Sequence, residues 1–388
     1  MREIVRKKLE QIDELYPKER LSKSKDRWGR LWHNLPPLDR HPFVAFPIGL
    51  NCYSPSHDME QRLHEHLDEF IRRGRFHDDY IPAFSNGCRQ GTIPSMFGVP
   101  EVILGEDYSC ERLLHSATDI EHLPEAKITQ DVMAYAWIEM ARYYVEETEG
   151  RIPVHVCDMQ GPIDVAGQLW GYENFFEAAY DTPEICHALL QKTTAAFILL
   201  WNSQKNAVGG ELFVGTHLSP YDWIPQNFGA TVSVDSMVMV SPSFFNEFFT
   251  PSLKIIAEHF GGITLHSCGD FSAVIPAVNN VPYIRGMHAG QMNIEQIMNS
   301  GIDKAITLIT GYDENELMFD LLSNERQAVI PHVNPWPPGV DWNCWGEEEW
   351  NYIKKYENSV LSAALYIDNK NSSFTKHNIC KEVNMPKP

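Results

Sequence analysis

The chain has 388 residues, enough to bury a large core, and its 52 acidic against 32 basic side chains leave a formal net charge of −20. Such a charge repels phosphate backbones and anionic lipid surfaces, so neither nucleic acid nor membrane is an expected partner. The longest strongly apolar run, Ala195 to Trp201, falls far short of the ~20 residues a bilayer span needs.

Apolar residues at Ile4, Val5, Leu9, Ile12 and Leu15 recur at helical spacing over Glu3 to Tyr16, and a charged, proline-broken stretch follows up to Pro42. Residues 1–42 are read as an N-terminal helical arm and 43–388 as one continuous folded unit. Within that unit, short β-rich runs alternate with amphipathic stretches. The candidate strands are Phe43–Leu50, Tyr80–Phe84, Val154–Cys157, Leu212–Val214, Val232–Val234, Ile263–His266, Ile284–His288, Ile306–Ile309 and Ala328–His332. The candidate helices are Ser56–Arg73, Thr129–Glu147 capped by Thr129, Tyr172–Asn206, Ser241–His259 opened by Ser241 and Pro242, and Glu347–Ile367. This alternation predicts an α/β fold with a parallel sheet, and we expect a closed (β/α)8 TIM barrel rather than an open doubly wound sheet. Nine candidates for eight places mean that one strand is miscalled.

In such a barrel the chemistry sits at the C-terminal strand ends. Polar residues gather there: Asp158 and Gln160, His217, Asp235, His266 with Cys268, His288, Asp313 and His332. Each alone also reads as structure, an aspartate capping the next helix or a hydrogen-bonded histidine. The run from Gly261 to Asp270 is more specific, because His266 and Cys268 lie two apart and share one face of a strand. An imidazole and a thiolate so placed suit zinc. The competing reading is a buried structural cysteine beside a hydrogen-bonded histidine. The eight cysteines include no Cys-x-x-Cys pair, and the charged stretch Met1 to Glu10 lacks a secretory pattern, so a reduced cytoplasmic setting is expected.

Several stretches together resemble the uroporphyrinogen decarboxylase superfamily: Gly161-Pro162-Ile163-Asp164-Val165-Ala166, Asp181-Thr182-Pro183-Glu184, Val234-Asp235-Ser236, Val240 to Lys254, His266-x-Cys268-Gly269 and Gly311 to Asn315. The resemblance covers most of 150–335 and is closer to the zinc- and cobalamin-dependent methyltransferases. The decarboxylases of that superfamily resemble one another in an arginine-rich segment after the first strand, whereas Phe46 to Tyr53 here contains no arginine. The resemblance implies zinc held by His266, Cys268 and a distant third ligand, for which Cys344 is preferred and His332 is the rival. The resemblance also implies a displaceable acidic fourth ligand after the seventh strand, where this chain reads Met287-His288-Ala289-Gly290, so that either His288 substitutes or no residue does. The chain lacks the Asp-x-His-x-x-Gly cobalamin pattern, so a separate corrinoid protein is the implied partner.

The implied activity moves a methyl group between a small methylated compound, such as a methoxylated aromatic, or a thiol and that corrinoid protein. Asp235, His217 and His288 are the candidate catalytic residues, with His332, Asp158 and Trp336 on the substrate side. Phe84, Trp170, Trp336, Trp342 and Trp345 fall on expected strand-end loops and are candidate pocket aromatics, although aromatics more often build core. The alternative is a decarboxylase of a small aromatic or tetrapyrrole-type acid.

Overall fold

The structure is a computed structural model. It describes residues 2–35, 38–39, 42, 44–45, 58–75, 78–85, 91–104, 107–216, 223–292, 294–310 and 329–333, with backbone only for 45, 101–104, 107–109, 294–295, 298, 310 and 329–333. Ten strands are described: β1 Val44–Ala45, β2 Glu101–Leu104, β3 Asp107–Cys110, β4 Val154–His155, β5 Phe213–Val214, β6 Ala230–Ser233, β7 Ile263–Ser267, β8 Ile284–Ala289, β9 Thr307–Thr310 and β10 Val329–Val333. Apart from the β2–β3 hairpin, every pairing is parallel.

The main sheet runs β1-β10-β9-β8-β7-β6, so the first strand lies beside the last. Beyond β6, a parallel bridge joins Ser233 to Gln160, and Phe84 bridges Val154 on the far side of β4. That sequential order, folded back from last strand to first, is the connectivity a barrel requires. Closure is not shown: among the described residues β1 does not pair with Tyr80–Phe84, and β5 does not pair with β6. All nine expected strand segments nonetheless take part in parallel pairing, eight as strands and Tyr80–Phe84 through its bridge. The pairing therefore singles out none of the nine as miscalled.

Several helices differ from expectation for identifiable reasons. Lys18–Trp32, read as a proline-broken stretch, is a full helix that buries Ser24, Trp28, Leu31 and Trp32. Pro17 sits before it, where a missing N–H costs nothing. The expected single helix Tyr172–Asn206 is two, Tyr172–Asp181 and Pro183–Val208, divided at Thr182. A residue preceding proline is disfavoured in the α region, and Thr182 takes φ −147° and ψ 62°. Thr129 caps nothing, because its helix starts at Met133. Its hydroxyl bonds the Asp131 carboxylate instead, in a local turn. Ser241 behaves as expected: its Oγ accepts from the Phe244 N–H, and Pro242 is the first helical residue. The stretch Glu347–Ile367 lies outside the described residues.

The N-terminal helices are fastened to the body by buried polar contacts. Trp28 Nε1 donates to the Asp79 carbonyl at 2.9 Å, and Trp32 Nε1 to the Trp223 carbonyl at 2.9 Å. Among the described residues no helix is long and apolar enough to cross a membrane. Phe84 and Trp170, for which the sequence left pocket and core both open with core the commoner outcome, are core: both are buried, and Phe84 stacks on Tyr144 at 4.5 Å between centroids.

Candidate metal centre

The site is built by register. His266 on β7 lies directly opposite His288 on β8, and aligned residues of neighbouring parallel strands project to the same face. Their rings face each other at 4.7 Å, with Nδ1 to Nδ1 at 2.9 Å. The other nitrogen of His266, Nε2, faces the opposite way, 3.4 Å from Cys268 Sγ and 3.6 Å from Asp235 Oδ1. Asp235, His266 and Cys268 thus present one oxygen, one nitrogen and one sulfur, all within 4.8 Å of one another.

These separations suit a tetrahedral zinc ion. Bonds of 2.0–2.1 Å to N or O and 2.3 Å to S give ligand-to-ligand edges of about 3.3 Å for N···O and about 3.5 Å for N···S. Space is also present. Gly290, whose N–H donates to the Ser267 carbonyl, lies against the donors: a Cβ there would sit 3.1 Å from His266 Cε1 and 3.7 Å from Cys268 Sγ. Imidazole, thiolate and carboxylate together form a donor set for zinc rather than for the hard, all-oxygen ions.

Electrostatics point the same way. Partial desolvation of the sulfur, with the negative charges of Asp235 and Asp158 nearby, pushes the Cys268 thiol up to about 11. A thiol so placed stays protonated unless a cation joins it, and a bound metal reverses that preference. The field that opposes the thiolate therefore favours a divalent ion.

Behind the donors, Asp235 Oδ1 accepts from the Cys268 backbone N–H at 2.8 Å, which ties the β6 end to the β7 end. The Asp235 and Ser236 N–H groups both donate to Asp164, each at 2.9 Å, and the Tyr172 hydroxyl donates to Asp164 at 3.3 Å. Burial raises the Asp164 carboxyl to about 7, against the hydrogen bond from Ser236 and with the nearby Asp235 charge. Asp158 accepts from the Ser233 hydroxyl at 3.2 Å and from Gln160 Nε2 at 3.4 Å, so it is held beneath the site. The Gly269 N–H donates to Gln291 Oε1 at 3.1 Å, fixing the turn after Cys268. Asp270 accepts from the Ser272 N–H at 2.9 Å, and hydrogen bonds from the Ser272 side chain first and its backbone second hold the Asp270 carboxyl below the usual range.

Of the residues singled out in the sequence, the structure brings together His266, Cys268, Asp235 and His288, with Asp158 close by. Asp235, expected to act on substrate, is one of the three grouped donors. His332 lies on β10 with only its backbone described, while His217, Asp313, Cys344 and Trp336 lie outside the described residues. Asp164, Tyr172 and Gly290 were missed. One signal was available: Asp164 is the only charged residue in the helix Pro162–Trp170, whose other members are apolar or neutral.

A parallel α/β framework with a nitrogen, sulfur and oxygen cluster at the C-terminal strand ends defines the class of protein. Residues 92–217 match the family model for uroporphyrinogen decarboxylase (URO-D), and the likeness to that superfamily read from the sequence holds. The matched segment contains Asp158, Asp164 and Tyr172, whereas the donor cluster lies beyond its end. It also begins earlier than the expected resemblance. Among solved structures, a methyltransferase from Methanosarcina mazei shares the fold with a TM-score of 0.61 and 14% identity, over 87% of this chain and 99% of that one. No curated protein matches the sequence.

Proposed function

We propose that this chain is a zinc-dependent methyltransferase that moves a methyl group between a small methylated compound or a thiol and a separate corrinoid protein. The observation that carries the reading is the convergence of Asp235, His266 and Cys268 at the strand ends of the fold, which we read as a (β/α)8 barrel. The fold shared with a methyltransferase supports it. Zinc bound there would supply Lewis acidity, stabilising a thiolate or polarising the oxygen of a methyl ether.

His266 would hold the ion through Nε2 and Cys268 through Sγ, while His288 bonds the back nitrogen of His266 and sets its tautomer. Asp235 keeps the Cys268 turn in place through its N–H and offers its carboxylate either to the ion or to a proton at the substrate. For the remaining donor we keep Cys344 ahead of His332. His217, Trp336 and the Asp158 side of the site are assigned to substrate, for which a methoxylated aromatic remains the preferred class. The decarboxylase alternative draws its own support from the URO-D match over 92–217.

Metal analysis separates the two. Purified protein is expected to hold about one equivalent of zinc, lost in Cys268→Ala together with methyl transfer to a corrinoid protein. Protein that is metal-free after purification and growth in zinc, yet decarboxylates an aromatic acid, would reverse the ranking.

A further inference from the structure

Asp164 is completely buried in the first turn of a helix that otherwise carries only apolar and neutral residues. Its surroundings are built around it. The Gly161 N–H donates to the Ser233 carbonyl and the Ser233 N–H to the Met159 carbonyl, so the helix start is laced to the end of β6. That lacing brings both Asp164 oxygens to the backbone N–H groups of Asp235 and Ser236. From the other side, Tyr172 folds back over Gly167 to reach Asp164 with its hydroxyl. Gly167 leaves the room this requires, because a Cβ there would lie 2.5 Å from Tyr172 Cδ1 and 2.7 Å from Cζ.

A continuous line of hydrogen bonds therefore runs from the Tyr172 hydroxyl to Asp164, on to the Asp235 backbone, and from the Asp235 carboxylate to the Cys268 N–H. It links two helices, Pro162–Trp170 and Tyr172–Asp181, to the ends of two strands, with the steps from Asp164 to Asp235 and from Asp235 to Cys268 spanning 71 and 33 residues. A carboxylate accepting two backbone N–H groups at once fixes a turn more firmly than a single acceptor, and here that turn aims a candidate ligand.

We propose that Asp164, held by Tyr172, is a positioning residue that sets Asp235 and the Cys268 turn in the geometry that grips the metal. The inference rests on the zinc reading above. Loss of such a supporting partner typically lowers metal affinity about 10- to 100-fold. Asp164→Ala should fall in that range, Asp164→Asn should recover part of it because one acceptor oxygen remains, and Tyr172→Phe should lose less than either.

The test is zinc affinity of the full chain by competition with a chelating dye, with cobalt absorption as a second readout and apo thermal unfolding alongside. Support is a graded loss of affinity in Asp164→Ala, Asp164→Asn and Tyr172→Phe, with cobalt bands that shift while the thiolate-to-cobalt band persists. A merely structural role would lower apo stability and leave affinity and cobalt spectrum of the folded protein unchanged, and that result overturns the proposal. If Asp164→Ala does not fold, Tyr172→Phe and Gly167→Ala, which crowds the Tyr172 ring, decide it by the same readouts. Wild-type protein that binds neither zinc nor cobalt would defeat the metal reading itself, and this proposal with it.

Discussion

Gly290 bounds the donor cluster by having no side chain. A methyl group 3.1 Å from His266 Cε1 is tighter than ordinary packing, so Gly290→Ala should tilt the imidazole away from Cys268. Zinc affinity is expected to fall about tenfold, as for other losses of ligand orientation, and Gly290→Val should fall further; titration against a chelator reads both. His66 makes a second prediction, far from the site. Burial first, and then the Arg62 charge, hold its imidazole down at about 3, while its Nε2 sits 3.1 Å from the Ser85 carbonyl. The folded state thus refuses a proton that the unfolded chain accepts near 6.5, so the stability contribution is whole above 6.5 and is lost as pH falls toward 3. By pH 5 the linked loss is about 2 kcal/mol. The urea midpoint of wild type should drop more between pH 7 and pH 5 than that of His66→Gln; equal drops would refute the assignment. At this scale His266 and Cys268 were legible because a strand's period of two is a local property. Asp164 was not, since its partners lie 71 and 72 residues away. Phe84 and Trp170 fell to the core, the more common place for an aromatic, and the sequence could not decide it, because an aromatic at a strand end has the same signature in a pocket as in a core.

Between elements, backbone meets backbone closely where the chain enters β6 and β7. Gly229 has φ +135° and Gly262 φ +152°, both in the region that favours glycine, and a Cβ on Gly229 would lie 2.6 Å from the Gly262 carbonyl carbon. The obstacle is backbone, so no side chain can swing aside. Gly229→Ala should cost at least about 2 kcal/mol, read as a lower denaturation midpoint. Because the two strands carry Asp235 and His266 at their far ends, metal affinity should fall with it. Wild-type stability in Gly229→Ala would show that the approach is looser than drawn. Elements were legible where one local interaction decides them, as with Ser241 and Pro242. They were misread where two local options competed: Thr129 chose the Asp131 carboxylate over the helix end. The helix Lys18–Trp32 was hidden for another reason. Its charged face dominates the composition, while the buried stripe of Ser24, Trp28, Leu31 and Trp32 shows only as periodicity.

For the molecule as a whole, the donor cluster joins segments that the fold alone brings together, so an ion that bridges them binds the folded chain and not the unfolded one. Such an ion stabilises by RT ln(1 + [zinc]/Kd), about 2.7 kcal/mol at one hundred times Kd and about 1.4 kcal/mol more per further tenfold. An unfolding entropy near 2.1 cal/mol/K per residue, scaled to a 388-residue chain unfolding cooperatively, converts these into about 3 °C and about 2 °C. The unfolding temperature of wild type should therefore climb by a fixed step with each tenfold rise in buffered free zinc and fall back when a chelator is added. Cys268→Ala should stay flat over the same range, because it removes the only sulfur among the three grouped donors. A rise shared equally by wild type and Cys268→Ala would place the zinc elsewhere on this acidic surface. A flat response in wild type would mean that the three side chains meet without forming a metal site.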